Sequence, residues 1–440
     1  MLKEKIIKIC DYIIEYGLLA IIFSIALIFD YSLSSYNFFD LYKAIIFRVI
    51  LILILLSFTA KIFINGKLAY RGGAKIFLLA GLTLVSFFIS CLFSLHPAES
   101  FWGSFLRQQG FYNFFNYWLF FALLILNIEN FKQIKRIIIA VIAAASLAAA
   151  YGLAQYFKLD PLTWSESANG RIFSTLGQPN FFGHWLAIVL PFSLYALIFI
   201  AKKALTKFFI GLAVLMQLAG LLFTYSRAAW LGFLGSMFFL IMVWLFYKRF
   251  KKVALGLVGL FLIGLAAVVA LNLSNQFSQP GPSPLNLANR LKSIADFKGV
   301  SNKMRLYYLE SAVKEIKQAS YLRLFFGYGP EALADVFIKY YRIDWGIYEA
   351  INSFPDRAHN WLFDQILALG FLGLVVNLLF YSYFIYRAAV FLLSKKFKPE
   401  HWLLVFLLSS LIAYSINNLF SFSLLKGSGF PCLNTQTIFK

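Results

Sequence analysis

Long uninterrupted apolar runs constrain this chain more than any other feature. They recur at 13–29, 44–64, 76–95, 112–127, 137–157, 183–201, 208–225, 228–246, 253–273, 361–386 and 402–422. A helix crossing the roughly 30 Å hydrocarbon core of a bilayer needs about 20 such residues. Only helices and closed barrels satisfy every backbone hydrogen bond in lipid. The runs are continuous rather than alternating, which selects helices. A chain of 440 residues that is 61% hydrophobic and only 13% charged could not hide that much apolar surface in a water-soluble core. The expected fold class is therefore an all-α polytopic membrane protein of about eleven transmembrane helices. The run at 13–29 is not followed by a small-residue cleavage pattern, so it is a retained span rather than a signal peptide.

Charge orders the spans. The net charge of +21 is compatible with nucleic-acid binding, but its distribution is not. Basic residues gather at alternate ends of the runs: Lys3, Lys5 and Lys8; Lys132, Lys135 and Arg136; Lys202, Lys203 and Lys207; Lys248, Arg249, Lys251 and Lys252. That is the positive-inside pattern, and it places the N-terminus in the cytoplasm. No nucleic-acid partner is implied; the membrane lipids are the surroundings.

The chain divides into an N-terminal bundle (1–273), a long extracytoplasmic connection (274–360), a pair of spans (361–422) and a tail (423–440). The connection opens with QPGPSP and carries eleven Lys or Arg. Loops of this length are seldom mere connectors. The tail, which includes GSGFPCLNTQTIFK, holds no further span and reads as an atypical, truncated end. Cys10, Cys91 and Cys432 are scattered and form no CxxC pair, so neither a disulfide framework nor a thiolate metal site is expected. Trp118, Trp185, Trp230, Trp361 and Trp402 fall near span ends, where interfacial anchoring accounts for them.

Polar residues at the extracytoplasmic ends carry whatever chemistry there is. Arg107, Arg171, Arg227, Arg305 and Arg357 recur at the ends of separate helices. A guanidinium keeps its proton and grips phosphate oxygens in pairs. Arg227 lies in a connection of only a few residues, at or within the interface, where ionisable groups are costly and default to function. At about 100° per residue, Arg305 shares a helical face with Tyr308, Leu309, Ala312 and Ile316, whereas Glu310, Lys314 and Lys317 face away. A charge on that apolar face needs an anionic partner, either a ligand or an acid such as Glu331 or Asp335. Arg171 sits between turn-forming residues, with Gly170, Gly177, Pro179 and Gly183 implying a tight, shaped loop.

Of the four histidines, His359 is the leading candidate for a general base, because imidazole titrates near neutrality. Asp364 lies about 140° from it on a continuous helix and is not expected to orient the ring. Asn360 and His184 are secondary candidates, as are Arg107 and Arg357. GYGP at 327–330 reads as a turn before a helix at 331–341. No metal-ligand spacing, P-loop or GxSxG stands in the extracytoplasmic segments, so no metal or cofactor is expected.

The ordered set WGSFLRQQG, GRIFSTLGQPNFFGHWLA, YSRAAWLG, MRLYYLESAVKEI with LFFGYGPE, and RAHNWLFDQILALGFLGL resembles the O-antigen ligase/polymerase family of bacterial polytopic glycosyltransferases. The resemblance spans roughly residues 100–375. It implies about twelve spans, a large periplasmic loop before the penultimate pair and a location in the inner membrane. It also implies transfer of a glycan from a polyprenyl diphosphate carrier to an acceptor hydroxyl at the periplasmic face, without metal. The acceptor is a glycolipid, a glycan or a protein, giving a ligase, a polymerase or a protein O-oligosaccharyltransferase. By matching motif, Arg171, Arg227 and Arg305 grip the diphosphate and His359 takes the acceptor's proton. A lipid-linked glycan flippase is the alternative from another class; it predicts charges near the midplane and broken helices in repeated halves.

Overall fold

The computed structural model describes residues 2–32, 37, 39–67, 73–105, 107–162, 164, 170–248, 250, 252, 253, 255–259, 300–342, 355–394 and 401–420. Among these residues the regular structure is helical. Nine helices form the bundle: α1 (Leu2–Leu27), α2 (Leu41–Asn65), α3 (Ala74–Leu92), the short α4 (Pro97–Trp102), α5 (Phe111–Asn127), α6 (Phe131–Tyr156), α7 (Pro179–Tyr195), α8 (Ala204–Phe223) and α9 (Arg227–Tyr247). Then follow α10 (Val300–Gln318), α11 (Tyr321–Phe326), α12 (Leu333–Ile338), α13 (Trp361–Ser394) and α14 (Trp402–Leu419). Nine helices among the described residues are long and apolar enough to cross a membrane, and the 17-residue α5 falls just short. The expected span 253–273 and the tail lie outside the described residues, apart from a few positions at the start of that span.

The observed helices differ from the apolar runs mostly at their ends. Helix α1 begins eleven residues before its run, because Lys3, Glu4, Lys5 and Lys8 are compatible with helix where they leave the lipid. Helix α6 starts six residues early, on a capping box: Asn130 accepts from the Gln133 N–H at 3.1 Å, and Gln133 accepts from the Asn130 N–H. Its Ala144, Ala145, Ala148 and Ala149 are fully buried, and such small side chains let neighbouring helices approach closely. Helix α7 contains Pro191 and continues as a π turn over Ala196–Ile200.

Two aromatic assignments need correcting. Trp230 is core rather than an interfacial anchor: it is buried, and its indole N–H donates to the Leu221 carbonyl at 2.9 Å. Trp185 lines an internal cavity.

The apparently continuous span 361–394 is broken. Gly370 has φ 70° and ψ −178°, outside the helical region. The carbonyls freed by the break are taken by a distant segment: Tyr328 N–H donates to Leu367 O at 2.7 Å, Gly329 N–H to Ala368 O at 3.0 Å, and Ser90 Oγ to Ala368 O at 2.6 Å. GYGP is therefore an irregular docking segment rather than only a turn, and the helix after it is the shorter α12. Gly327 and Gly370 are required at this contact. Both have positive φ, and a Cβ on either would overlap the other segment's backbone at Ala368 or Phe325.

Candidate active site

All the candidate residues lie at one end of the bundle, where α1, α3, α6, α8 and α14 finish and α2, α5, α7, α9 and α13 begin. They form two groups.

The first group surrounds His359. This residue sits in the turn before α13 with φ 55°, a left-handed conformation unusual for a side chain other than glycine. Its neighbours hold that geometry. Asp364 Oδ1 accepts from the Ala358 N–H at 2.6 Å. Asn360 Oδ1 accepts from the Leu362 N–H at 3.0 Å, capping α13, while its Nδ2 donates to the Leu419 carbonyl at 3.0 Å, tying the turn to the end of α14. Asp364 thus positions the backbone that carries the imidazole rather than the ring itself.

The imidazole stacks on Tyr308 of α10, with centroids 5.4 Å apart and planes at 23°. Arg305 lies one turn before Tyr308, on the face that buries Tyr308 and Ala312, as the helical spacing predicts. Burial, then the nearby charge of Arg305, lowers the His359 pKa to about 4 against the opposing influence of Asp356, with Arg107 and Arg357 adding to the lowering. Its neutral, proton-accepting form therefore prevails at neutral pH.

The loops around this turn are bound by carboxylates. Arg107 pairs with Asp356 through both Nε and Nη2 at 2.7 Å. Arg357 donates to Gln109 Oε1 at 2.8 Å and lies 4.0 Å from Glu331. Glu331 also accepts from Ser104 Oγ and from the Gln109 N–H, each at 2.8 Å. Of the two acids considered as partners for Arg305, Glu331 thus joins the 104–109 loop to Arg357, and Asp335 meets His96 at 2.7 Å. The sequence reading gave no site role to Asp356, Tyr308 or the Glu331 junction. Tyr308 was signalled by sharing the face of Arg305; Asp356 and Glu331 reach the 104–109 loop across more than 200 residues and left no local signal.

The second group lies where α6, α7, α8 and α9 meet. The 170–178 loop is shaped as its glycines imply. It contains a 3-10 turn at Ser174–Leu176, with Gly177 at φ 75° and Pro179 opening α7. Arg171 donates from Nε to the Thr224 carbonyl and from Nη2 to Asn180 Oδ1, both at 2.8 Å. It thereby clamps the α8–α9 turn that carries Arg227, the first residue of α9. A helix N-terminus adds its own partial positive charge there.

His184 connects the groups. It is 1% exposed, and neither ring nitrogen has a hydrogen-bond partner among the described residues. The adjacent Gly183 packs so closely on the α8–α9 turn that a Cβ would stand 2.9 Å from Thr224 Oγ1. Arg305 is near enough for its charge to act on His184 as well as on His359. The structure therefore brings His359, Arg305, Arg107, Arg357 and Asn360 together directly. Arg171 and Arg227 stand at the adjoining turn, with His184 between.

Fold and site define a multi-pass membrane protein with basic and imidazole side chains gathered at one end of its helices. Residues 212–378 match the model of the O-antigen ligase family, and over that stretch the chain is similar to it. The matched stretch includes Arg227, Arg305, Arg357, His359 and Asn360, while Arg107, Arg171 and His184 lie before it. No curated protein matches the chain. The family match supports a glycosyltransferase of the O-antigen ligase kind in general terms.

Proposed function

We propose that this protein transfers a glycan from a polyprenyl diphosphate carrier to an acceptor hydroxyl at the periplasmic face of the bacterial inner membrane, without a metal ion. One observation carries the reading: an imidazole kept neutral by burial and by Arg305 stands among guanidinium groups at a single end of the bundle. His359 accepts the proton of the acceptor hydroxyl as that oxygen attacks the anomeric carbon from the face opposite the leaving group, inverting the centre. The glycosidic bond to the carrier breaks, and its electron pair leaves on the diphosphate. Arg227, Arg171 and Arg305 stabilise the charge that develops there. Arg107, Arg357 and Asn360 hold the turn carrying the base, each through the partner already described.

A flippase would need polar groups along a route between the leaflets. The break in α13 does not favour one, because the freed carbonyls of Leu367 and Ala368 are bonded to Tyr328, Gly329 and Ser90.

The test is transfer in proteoliposomes from a polyprenyl-diphosphate-linked glycan, with lipid A-core, free glycan and protein offered separately as acceptors. His359→Ala and Arg227→Ala, inserted at normal levels, lose transfer to whichever acceptor the native protein uses. Undiminished transfer by both variants overturns the assignment.

A further inference from the structure

Three buried polar side chains are left unexplained by the roles assigned so far: His184 on α7, Ser226 at the start of α9 and Asn417 near the end of α14. Each is 1% exposed. Both ring nitrogens of His184, the Ser226 hydroxyl and both amide atoms of Asn417 have no hydrogen-bond partner among the described residues. A buried polar group in that state costs free energy until a partner meets it. Other buried hydroxyls of α7 and α14 are met: Ser193 donates to Gln217 Oε1 and Ser410 to the Ile188 carbonyl, each at 2.8 Å.

Packing puts the three at one junction. Helix α7 packs on both α9 and α14, and α9 on α14. Helices α7 and α14 run in opposite directions and are joined by the Ser410–Ile188 bond. His184 lies four residues before Ile188, and Asn417 seven after Ser410. Those spacings return each side chain to the bonded face, on the site-end side of the bond. Asn417 also abuts α9, since a Cβ on Gly232 would stand 2.7 Å from its Oδ1. Gly183, beside His184, lies so near the start of α9 that its Cβ would stand 3.2 Å from that of Ser226.

The junction has a defined place in the site. On one flank, Ser226 immediately precedes Arg227. On the other, Asn417 lies two residues before Leu419, whose carbonyl accepts from Asn360, the neighbour of His359. The three side chains thus stand between the base and the cations assigned to the diphosphate. In the transfer reading the sugar bonded to the diphosphate occupies that interval, because its anomeric carbon is attacked on one face and released from the other.

Their chemistry agrees. Asn417 Oδ1 and one nitrogen of a neutral imidazole need donors, while the Asn417 amino group and the other ring nitrogen need acceptors. An ionised diphosphate offers acceptors alone, and a hydrocarbon offers neither. A hydroxyl supplies both. We infer that His184, Ser226 and Asn417 form a subsite for the hydroxyls of the donor sugar next to the diphosphate, and so help to decide which lipid-linked glycan is used. The inference rests on the transfer reading and adds sugar recognition to it.

The experiment measures binding to the full chain in nanodiscs of farnesyl diphosphate, and of the same compound bearing glucose, galactose or N-acetylglucosamine on its terminal phosphate. The native protein should bind at least one glycosylated probe more tightly than farnesyl diphosphate, by about tenfold for each hydrogen bond gained. His184→Leu, Asn417→Leu and Ser226→Ala should each erase about tenfold of that preference, with farnesyl diphosphate affinity and the melting transition close to native. Ser226→Ala removes a single atom and keeps the test open should either leucine disturb the packing. Equal weakening of both kinds of probe would give the three groups to the diphosphate, and an unchanged preference in the variants would leave them holding water alone. Either result overturns the inference, as does native protein that binds all the probes alike. The transfer reading is judged apart from this, by loss of transfer in His359→Ala and Arg227→Ala.

Discussion

The two groups of arginines at the site end are built differently. Arg107 and Arg357 are set against carboxylates, Asp356 and Glu331, in a network joining the 104–109 loop, Glu331 and the turn before α13. Arg171 donates to the Thr224 carbonyl and to the Asn180 amide oxygen, and these bonds hold the α8–α9 turn. The first set ties its loops through acids; the second ties the 170–178 loop to the turn before α9 through neutral oxygens. The contrast teaches that a similar arginine at a similar depth can serve architecture on one side of a site and substrate charge on the other.

The largest expected effects break this comparison at the chemistry. His359→Ala should lower kcat by about 10²–10⁴, the usual range for a positioned general base, measured in the proteoliposome assay. Arg227→Ala and Arg171→Ala should each cost about 10²–10³ in kcat/KM for the donor, as for the loss of one charge-stabilising group. If Arg107→Gln matched them in donor kcat/KM while protein stability held, the division between frame and anion site would be wrong.

A subtler test uses pH. A base with a pKa lowered to about 4 leaves kcat/KM level across neutrality and brings its acidic limb near pH 4. Removing a nearby positive charge makes protonation easier, so Arg305→Gln should move that limb toward higher pH. Removing the negative charge of Asp356 should move it lower, so Asp356→Asn shifts the limb in the opposite direction. The same group affects stability: the unfolded chain takes up the His359 proton first, so its contribution is present above about pH 6.5 and is lost as pH falls toward 4.

Smaller effects concern the scaffold. Gly370→Ala puts a Cβ against the Phe325 carbonyl at positive φ and should cost about 1–3 kcal/mol, read from the melting transition in detergent. Asn360→Ala removes the cap of α13 and should cost about 1 kcal/mol, with Asn360→Asp retaining most of it.

The spans were legible because lipid imposes one length and one polarity on everything that crosses it. Their ends were not, because Lys3, Lys5 and Lys8 are as acceptable in a helix as in a loop. Arg305 was legible as a charge on a buried face, since 3.6-residue periodicity is local. The break at Gly370 was hidden within ALGFLGL, an unbroken apolar run, because what permits it is the Tyr328–Gly329 segment some forty residues earlier. The Arg107–Asp356 ion pair and the hydrogen bonds of Glu331 with Ser104 and Gln109 were hidden for the same reason: partners more than 200 residues apart depend on topology, which no window of sequence contains.

The discontinuity at Gly370 has a mechanical consequence. The first two turns of α13 hang from the Gly327–Gly329 segment and from Ser90, while the remainder follows the bundle. A displacement of that segment tilts these two turns, and Asp364, bonded to the Ala358 amide, passes the tilt to the imidazole. The Gly327–Gly329 segment is thereby linked through the start of α13 to the turn that carries the base.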